Sequence, residues 1–168
     1  MNVRIRGYDP SDRDACRRLW VELTEWHREL FASPGIGGDD PGGQFDEHLS
    51  RVGVEHIWVA EGNGRPVGMV GVIPSTGESE LEPIVVAREW RGRGVGDALA
   101  RVVIDAARER GDRWLITKPV ARNAVAIRFF HGLGFDVLDQ VELLADLRPP
   151  DEQTWRPGTV LAGRDFRL

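Results

Sequence analysis

The chain has 168 residues, of which 41% are hydrophobic and 29% are charged, and its net charge is −5. This length fits one compact domain rather than a tandem array. A single cysteine excludes a scaffold held together by internal disulfides, and the acidic balance argues against a nucleic-acid-binding protein. No stretch approaches the roughly 18 apolar residues of a membrane span. We therefore expect one cytoplasmic domain over residues 1–168 that neither binds nucleic acid nor enters a membrane.

The first third of the chain predicts a strand and two helices. Alternating apolar and polar residues predict a strand at 3–8, and apolar residues spaced three and four apart predict a long helix over 16–30. Glycines and prolines exclude regular structure from 32–43, which is either a mobile loop over a site or an ordinary surface loop. A short helix is expected at 44–51.

The middle of the chain predicts a hairpin followed by a third strand. Strands are expected at 56–61 and 66–73, with an Asn-Gly turn between them. Residues 78–86 alternate acidic and apolar side chains and then become purely apolar. Such a pattern is typical of a strand that runs inward from the edge of a sheet.

The remaining elements complete a mixed α/β (α+β) domain. Helices are expected at 94–110 and 121–132, with a short buried strand at 114–117 between them and one or two further strands in 135–147. The pattern predicts one central mixed sheet of about six or seven strands flanked by helices. The apolar extension 148–168 needs cover, so we expect it to pack on this sheet or on the partner in a homodimer.

A glycine-rich turn between a strand and a helix is the strongest functional signal. Gly92, Gly94 and Gly96 remove side chains at alternate positions immediately before the helix, so backbone N–H groups can converge on one point. Arg91 and Arg93 add full positive charges. The turn is therefore suited to a phosphate or pyrophosphate.

Standard nucleotide motifs match this turn poorly. A P-loop requires Gly-Lys followed by Ser or Thr, whereas this chain has Gly96-Asp97-Ala98. A dinucleotide fingerprint requires G-x-G-x-x-G, which neither pair of glycines completes. A nucleotide-binding domain stays open as an alternative.

The pattern Arg91-x-x-Gly94-x-Gly96 resembles the pyrophosphate motif of the GCN5-related N-acetyltransferases (GNAT). Residues 81–86 resemble the family's fourth strand, and 123–135 resemble its second cofactor motif, an Asn-headed helix closed by Gly-Phe. The resemblance follows the element order over about residues 3–147. It implies a GNAT-like fold, with a sheet that splays where the fourth and fifth strands part.

The resemblance also implies acetyl-CoA as the acetyl donor, with no metal. The turn holds the pyrophosphate, the strand edge pairs with the pantetheine arm, and one strand N–H, that of Val86, polarises the thioester carbonyl. Asn123 bonds the pantetheine or a nearby backbone group. The residues placed at the cofactor are Ile84, Val85, Val86, Arg91, Gly92, Arg93, Gly94, Val95, Gly96, Asp97, Asn123 and Phe130.

The implied chemistry is direct attack of a primary amine on the thioester in a ternary complex. The amine must lose a proton, and Glu80 and Glu82, which share a strand face, are the candidate bases. Glu80 lies where the family carries its glutamate base. The competing interpretation is that both are solvated charges at a strand end.

One departure from the family pattern concerns the leaving thiolate. Many relatives protonate it with a tyrosine in the closing helix, and that position here is Phe130. Water or His131 could serve instead, or the thiolate could leave unprotonated. The departure supports an alternative function, a non-catalytic acyl-CoA-binding sensor or scaffold.

The acceptor is the least specified partner, and a small-molecule or peptide amine fits equally. Asp39 and Asp40, together with the glutamates of 78–82, could form an acidic mouth for a cationic amine, or be ordinary surface charges. Cys16 could carry an acyl group, but a cysteine on a helix face is usually core. The histidines lack the spacing of metal ligands.

Overall fold

The computed structural model describes residues 3–168, so Met1 and Asn2 of the predicted domain lie outside it. The chain divides into an N-terminal unit ending at Thr117 and a C-terminal unit, Lys118–Leu168. No helix in the described part is long and apolar enough to cross a membrane. The elements are β1 (Val3–Gly7), α1 (Arg13–Phe31), α2 (Gly43–Val52), β2 (Ile57–Gly62), β3 (Arg65–Ser75), β4 (Glu78–Val86), α3 (Val95–Arg110), β5 (Trp114–Ile116), α4 (Ala124–Gly132), β6 (Pro157–Leu161) and β7 (Arg164–Arg167).

The N-terminal unit is built on a five-stranded sheet in the order β1-β2-β3-β4-β5. The first three pairings are antiparallel, and β5 joins β4 in parallel. Parallel neighbours need a crossover connection, which α3 provides between β4 and β5. The predicted mixed sheet flanked by helices is therefore confirmed.

The two faces of the sheet carry different helices, as the glycines of β3 show. A side chain on Gly68 would meet Leu99 of α3, whereas one on Gly71 would meet His48 of α2. Residues three apart in a strand point to opposite faces. Hence α3 covers one face and α2 the other, with α1 packed beside α2 and on β3.

The predicted number of strands in the sheet is wrong, because the sheet has five strands rather than six or seven. No strand forms in 135–147, where Val137 is 81% and Leu147 is 94% exposed. Alternation alone does not make a strand without a partner strand and a face to bury. The extension does contain strands, but β6 and β7 pair with each other in a separate two-stranded sheet.

The expected burial of the 114–117 strand is also wrong, because Trp114 is 55% exposed on the edge strand β5.

One close contact anchors the segment that follows β4. Trp90 lies in a short 3-10 helix after β4 and is 5% exposed. Its ring packs on β2, where a Cβ on Gly62 would lie 2.7 Å from the indole. Glycine at this position therefore allows the indole to approach the sheet closely, which fixes the chain just before the glycine-rich turn.

We predict that Gly62→Ala destabilises the fold by about 1–3 kcal/mol, because the added methyl group displaces the buried Trp90 ring. Urea unfolding followed by tryptophan fluorescence measures the change. Gly7→Ala is the matched control, since Gly7 also lies in a strand but a Cβ there meets nothing within 4 Å. Equal stability of the two variants would contradict the proposed role of the contact.

Candidate functional site

The candidate site begins where β4 and β5 part. β5 pairs with β4 only at Glu78, Ser79 and Glu80, whereas β3 follows β4 as far as Val86. Beyond Glu80, no other described strand pairs with the second edge of β4. The sheet therefore has a fork whose open side is the carboxyl-terminal half of β4.

The backbone groups at this open edge belong to alternate residues. The N–H of Ala87 donates to the carbonyl of Val67 on β3 over 2.9 Å. In an antiparallel ladder, residues alternate between facing the partner and facing away. Val85, paired with Met69, thus directs its N–H and C=O toward β3. Ile84 and Val86 direct theirs toward the open edge.

A β-bulge lies within the same stretch of β4. Val70 pairs with Ile84 and Val72 with Leu81, so β4 has one residue more than β3 between these pairs. Glu82 and Pro83, joined by a cis peptide bond, are the residues of β4 opposite Gly71. The bulge changes the path of β4 just beyond the fork.

One candidate base, Glu80, lies just before the bulge, and the other, Glu82, lies within it. Glu80 forms the last pair with β5 and is partly exposed, whereas Glu82 lies in the bulge and is exposed. Their neighbours Ser79 and Leu81 are buried. The structure therefore places both carboxylates on the more exposed face of β4, next to the fork.

The glycine-rich turn lies directly after β4. Gly92 and Gly94 have φ values of 70° and 78°, which glycine adopts without strain. A Cβ on either would meet nothing within 4 Å, so the space beside the turn is open. Gly94 is the N-cap residue of α3, and since it has no side chain, no side-chain acceptor occupies the start of the helix.

Backbone donors at the start of α3 are available for an anion. The first intrahelical bond runs from the N–H of Ala98 to the carbonyl of Gly94, over 3.0 Å. The N–H groups of Val95, Gly96 and Asp97 precede it and have no acceptor within the helix. The Asp97 carboxylate pairs with Arg101 at 2.7 Å, which offsets its negative charge.

The two arginines of the turn have different surroundings. Arg93 is exposed, and its guanidinium lies 5.9 Å from the centre of the Trp90 ring. The Nε of Arg91 donates to the Val86 carbonyl over 2.8 Å, and its NH2 lies 3.6 Å from the carboxylate of Glu22. Arg91 therefore holds the end of β4, and one carbonyl of the open edge accepts a side-chain donor.

Glu22 of α1 also anchors the backbone of the segment that precedes the glycine-rich turn. Its carboxylate accepts the N–H of Arg88 over 3.0 Å. The sequence gives no local signal for this contact, because the two residues lie 66 positions apart. It links α1 to the candidate site.

The C-terminal unit contains the remaining predicted site residues. The Asn123 side chain accepts the N–H of Ala126 over 3.1 Å and so caps α4. Phe130 is 6% exposed, with ring centres 5.1 Å from Phe129 and 5.5 Å from Phe135. His131 is exposed in the last turn of α4.

The loop between α1 and α2 is held to α1 by ionic and backbone contacts. Asp40 pairs with Arg17 at 3.0 Å, and Arg28 donates to the carbonyls of Ile36 and Gly38 over 2.8 Å. The charge of Asp40 is thereby partly neutralised. This pairing weakens the contribution of Asp40 to the acidic mouth suggested by the sequence.

Two further titratable side chains, Cys16 and His48, are buried. Cys16 is fully buried, and burial raises the pKa of its thiol to about 12, so it is a core residue rather than a nucleophile. His48 of α2 is 4% exposed and lies beside Trp20, with ring centres 5.3 Å apart. Sequence reasoning missed His48, although its spacing from Phe45 and Val52 places it on the apolar face of α2. Within residues 3–168, no cluster of three His, Cys, Asp or Glu side chains could hold a metal ion.

A family model described as "Acetyltransferase (GNAT) family" matches residues 20–135, which is more than half of the chain. A probable N-acetyltransferase (camello) of Xenopus tropicalis is 37% identical over 94 residues, covering 54% of this chain and 42% of that protein. An uncharacterized N-acetyltransferase of Methanocaldococcus jannaschii is 35% identical over 93 residues, covering 51% of this chain and 41% of that protein. The matches thus span about two fifths of the length of these relatives.

Solved structures show the same fold. A GNAT-family acetyltransferase from Staphylococcus aureus Mu50 has a TM-score of 0.68 at 18% identity, covering 88% of this chain and 93% of that chain. AAC(6')-Iy in complex with a CoA bisubstrate analog of acetylneamine has a TM-score of 0.64 at 20% identity, covering 87% and 99%.

The buried His48 predicts a pH dependence of stability. Burial, and secondarily the charge of Arg51, lowers the pKa of His48 from 6.5 to about 4. Between these values the unfolded chain binds more protons than the folded one, so stability falls as the pH drops from 6.5 toward 4. The free energy of unfolding that this residue contributes and loses over this pH range is about 3 kcal/mol. Urea unfolding at several pH values measures it.

Two histidine variants separate the contribution of His48 to the loss of stability in acid from the contribution of the carboxylates. His48→Leu should reduce the acid destabilisation that begins below pH 6.5, to which His27, whose pKa is also lowered by burial, contributes as well. His131→Gln, at an exposed position, should leave the pH profile unchanged. Identical profiles for wild type and His48→Leu would show that the imidazole is not buried as described.

Proposed function

Because the chain belongs to the acetyltransferase (GNAT) family, we propose that it is an N-acetyltransferase that moves the acetyl group of acetyl-CoA to a primary amine. The observation that carries the proposal is the open edge of β4, which leads directly into a glycine turn and the N-terminus of α3. The family model crosses the boundary after Thr117. We therefore treat residues 1–168 as one catalytic domain.

The proposed cofactor contacts follow from the directions of the backbone groups. The N–H groups at the start of α3 bind the pyrophosphate, assisted by the positive end of the helix dipole. The N–H and C=O of Ile84 pair with the pantetheine arm as an added strand would, while the Val86 carbonyl keeps its hydrogen bond to Arg91 and the Val86 N–H stays available for the thioester. The other residues assigned to the cofactor are Val85, Arg91, Gly92, Arg93, Gly94, Val95, Gly96, Asp97, Asn123 and Phe130.

The proposed reaction is nucleophilic attack on the thioester carbonyl. The N–H of Val86 donates to the carbonyl oxygen, which gains negative charge as the amine attacks. Glu80 or Glu82 accepts the amine proton, directly or through water. The C–S bond then breaks and coenzyme A leaves as a thiolate.

The leaving step does not require a tyrosine. Phe130 cannot donate a proton, and a free thiol has a pKa of about 8.5. Departure as a thiolate at pH 7 therefore forgoes about 2 kcal/mol. This cost is small beside the roughly 8–23 kcal/mol by which enzymes lower barriers.

The acceptor is proposed only as a class, an amine of a small molecule or a peptide. Structural neighbours include an aminoglycoside N-acetyltransferase and a ribosomal-protein-S18-alanine N-acetyltransferase. A screen of neamine, an N-terminal alanyl peptide and a lysine peptide, read by thiol release, covers these chemistries. We also propose a homodimer in the cytoplasm, which light scattering and cell fractionation test.

We predict that Gly94→Asp weakens acetyl-CoA binding about 100-fold, or about 2.8 kcal/mol, because a carboxylate would lie where the pyrophosphate binds. Isothermal titration calorimetry measures the affinity, with ATP and NADH as competing ligands. Gly111→Asp is the matched control. Gly111 caps the other end of α3 with the same φ of 78° and the same open space.

Affinity within about threefold of wild type is expected for Gly111→Asp, since the change lies at the opposite end of the helix. Equal weakening by both variants would mean that strain in α3, rather than the anion site, controls binding. Tight binding of ATP or NADH in place of acetyl-CoA would support the nucleotide-binding alternative.

A second prediction concerns the proton acceptor. Glu80→Gln or Glu82→Gln should lower kcat by about 10²–10⁴-fold with the acetyl-CoA affinity unchanged, because the glutamine amide does not accept the amine proton. Glu78→Gln, at the exposed start of the same strand, is the control and should keep kcat within about twofold. Steady-state thiol release and calorimetry measure the two quantities.

Full activity of both glutamine variants would contradict the assignment of the base. Acetyl-CoA binding without turnover of any amine would favour the alternative function, a non-catalytic acyl-CoA-binding sensor or scaffold. The observation behind that alternative is Phe130 at the position of the family's tyrosine.

A further inference from the structure

The imidazole of His48 contains a buried donor without an acceptor. Its Nδ1 lies 3.1 Å from an NH2 of Arg51, which is always a donor, so the ring proton of the neutral imidazole lies on Nε2. Nε2 is buried and is the one such side-chain atom without a hydrogen-bond partner in the described part of the chain. An unsatisfied buried donor costs about 1–3 kcal/mol, so it requires an explanation.

The unpaired Nε2 lies at the bulge of β4. A Cβ on Gly71 would be 3.1 Å from the Nε2 of His48 and 2.7 Å from the carbonyl oxygen of Glu82. The donor and this acceptor therefore border the same small space, which the absence of a side chain on Gly71 keeps open. The third of the three nearest atoms is a methyl carbon of Ile57, at 3.0 Å from the same Cβ position.

The acceptor that borders this space, the Glu82 carbonyl, connects the space to the candidate site. Glu82 is one of the two β4 residues opposite Gly71, so its carbonyl belongs to the bulge itself. The direction of the Glu82 side chain depends on the orientation of its peptide groups. A hydrogen bond to that carbonyl would fix the orientation of these peptide groups.

We propose that His48 is a positioning residue that donates its Nε2 proton to the Glu82 carbonyl, directly or through one buried water. The bond fixes the bulge and thereby aims the Glu82 carboxylate at the attacking amine. This inference rests on the proposed function and names Glu82, rather than Glu80, as the carboxylate that His48 controls.

Two substitutions separate the donor from the volume of the ring. His48→Leu removes the donor and leaves an apolar side chain in a buried position, whereas His48→Gln can retain an N–H donor. We expect His48→Leu to lower kcat about tenfold, since small misplacements of reacting groups have effects of this size. The acetyl-CoA affinity should stay within about twofold, and His48→Gln should restore kcat to within about threefold of wild type.

Stability distinguishes positioning from simple packing. His48→Leu leaves the Glu82 carbonyl without its donor but adds apolar packing in a buried position, so Tm at pH 7 should change little while kcat falls about tenfold. A parallel loss of Tm and kcat that His48→Gln does not reverse would show a structural role and overturn the proposal. Unchanged kcat in His48→Leu would also overturn it.

A double-mutant cycle tests the route through Glu82. If His48 acts by aiming the Glu82 carboxylate, His48→Leu should cost less than about twofold in a Glu82→Gln background. It should still cost about tenfold in the Glu80→Gln background. The same cost in both backgrounds would contradict the proposed link.

A crystal structure of the full chain tests the bond without an acceptor substrate. The expected result is a distance of about 3 Å between His48 Nε2 and the Glu82 oxygen, or one water within about 3.2 Å of both. An Nε2 that bonds elsewhere or faces a dry space would overturn the inference. Failure of wild type to bind acetyl-CoA in calorimetry would instead refute the proposed function, and the two failures are therefore distinguishable.

Discussion

The pairing of β4 with β5 over only three residues is the constraint on which the candidate site depends. Unpaired N–H and C=O groups at a strand edge require partners, whether protein, water or ligand. On β4 these groups are the N–H and C=O of Ile84 and the N–H of Val86, because Val85 faces β3 and the Val86 carbonyl accepts the Nε of Arg91. A ligand that satisfies them must be extended and must carry amides, as an added strand does. The fork therefore selects a type of ligand before any side chain is considered.

The glycine turn continues this constraint along the chain. β4 ends at Val86, and α3 begins nine residues later at Val95, so an extended ligand on the edge leads toward the positive end of a helix. The intervening segment is fixed on two sides, by the Trp90 ring against Gly62 and by Glu22 on the Arg88 N–H. Such anchoring reduces the ordering cost of binding, because the donors are held in place before the ligand arrives.

Local patterns were sufficient to predict β4, the turn, α3 and a helix near α4, because each depends on signals within about ten residues, such as alternation and glycine spacing. The Asn123 head of that helix came instead from the resemblance to the family, and the start predicted at 121 lies three residues before Ala124. The strand predicted in 135–147 did not form, because a strand also needs a partner that its own sequence does not specify. The bulge escaped prediction for a similar reason. It is defined by the register of β4 against β3, and the sequence of β4 alone shows only Pro83 as a hint.

At His48 the local sequence rule and the folded structure disagree. On the apolar face of α2, between Phe45 and Val52, helical periodicity favours an apolar side chain at this position. The buried imidazole instead has an Nε2 donor with no partner among the described side chains and backbone groups, and its pKa, lowered to about 4, reduces stability below pH 6.5. Conflicts between local preference and the folded structure concentrate at functional sites. The conflict at His48 lies against the bulge that carries Glu82, and the proposed hydrogen bond to the Glu82 carbonyl would account for an imidazole at this position.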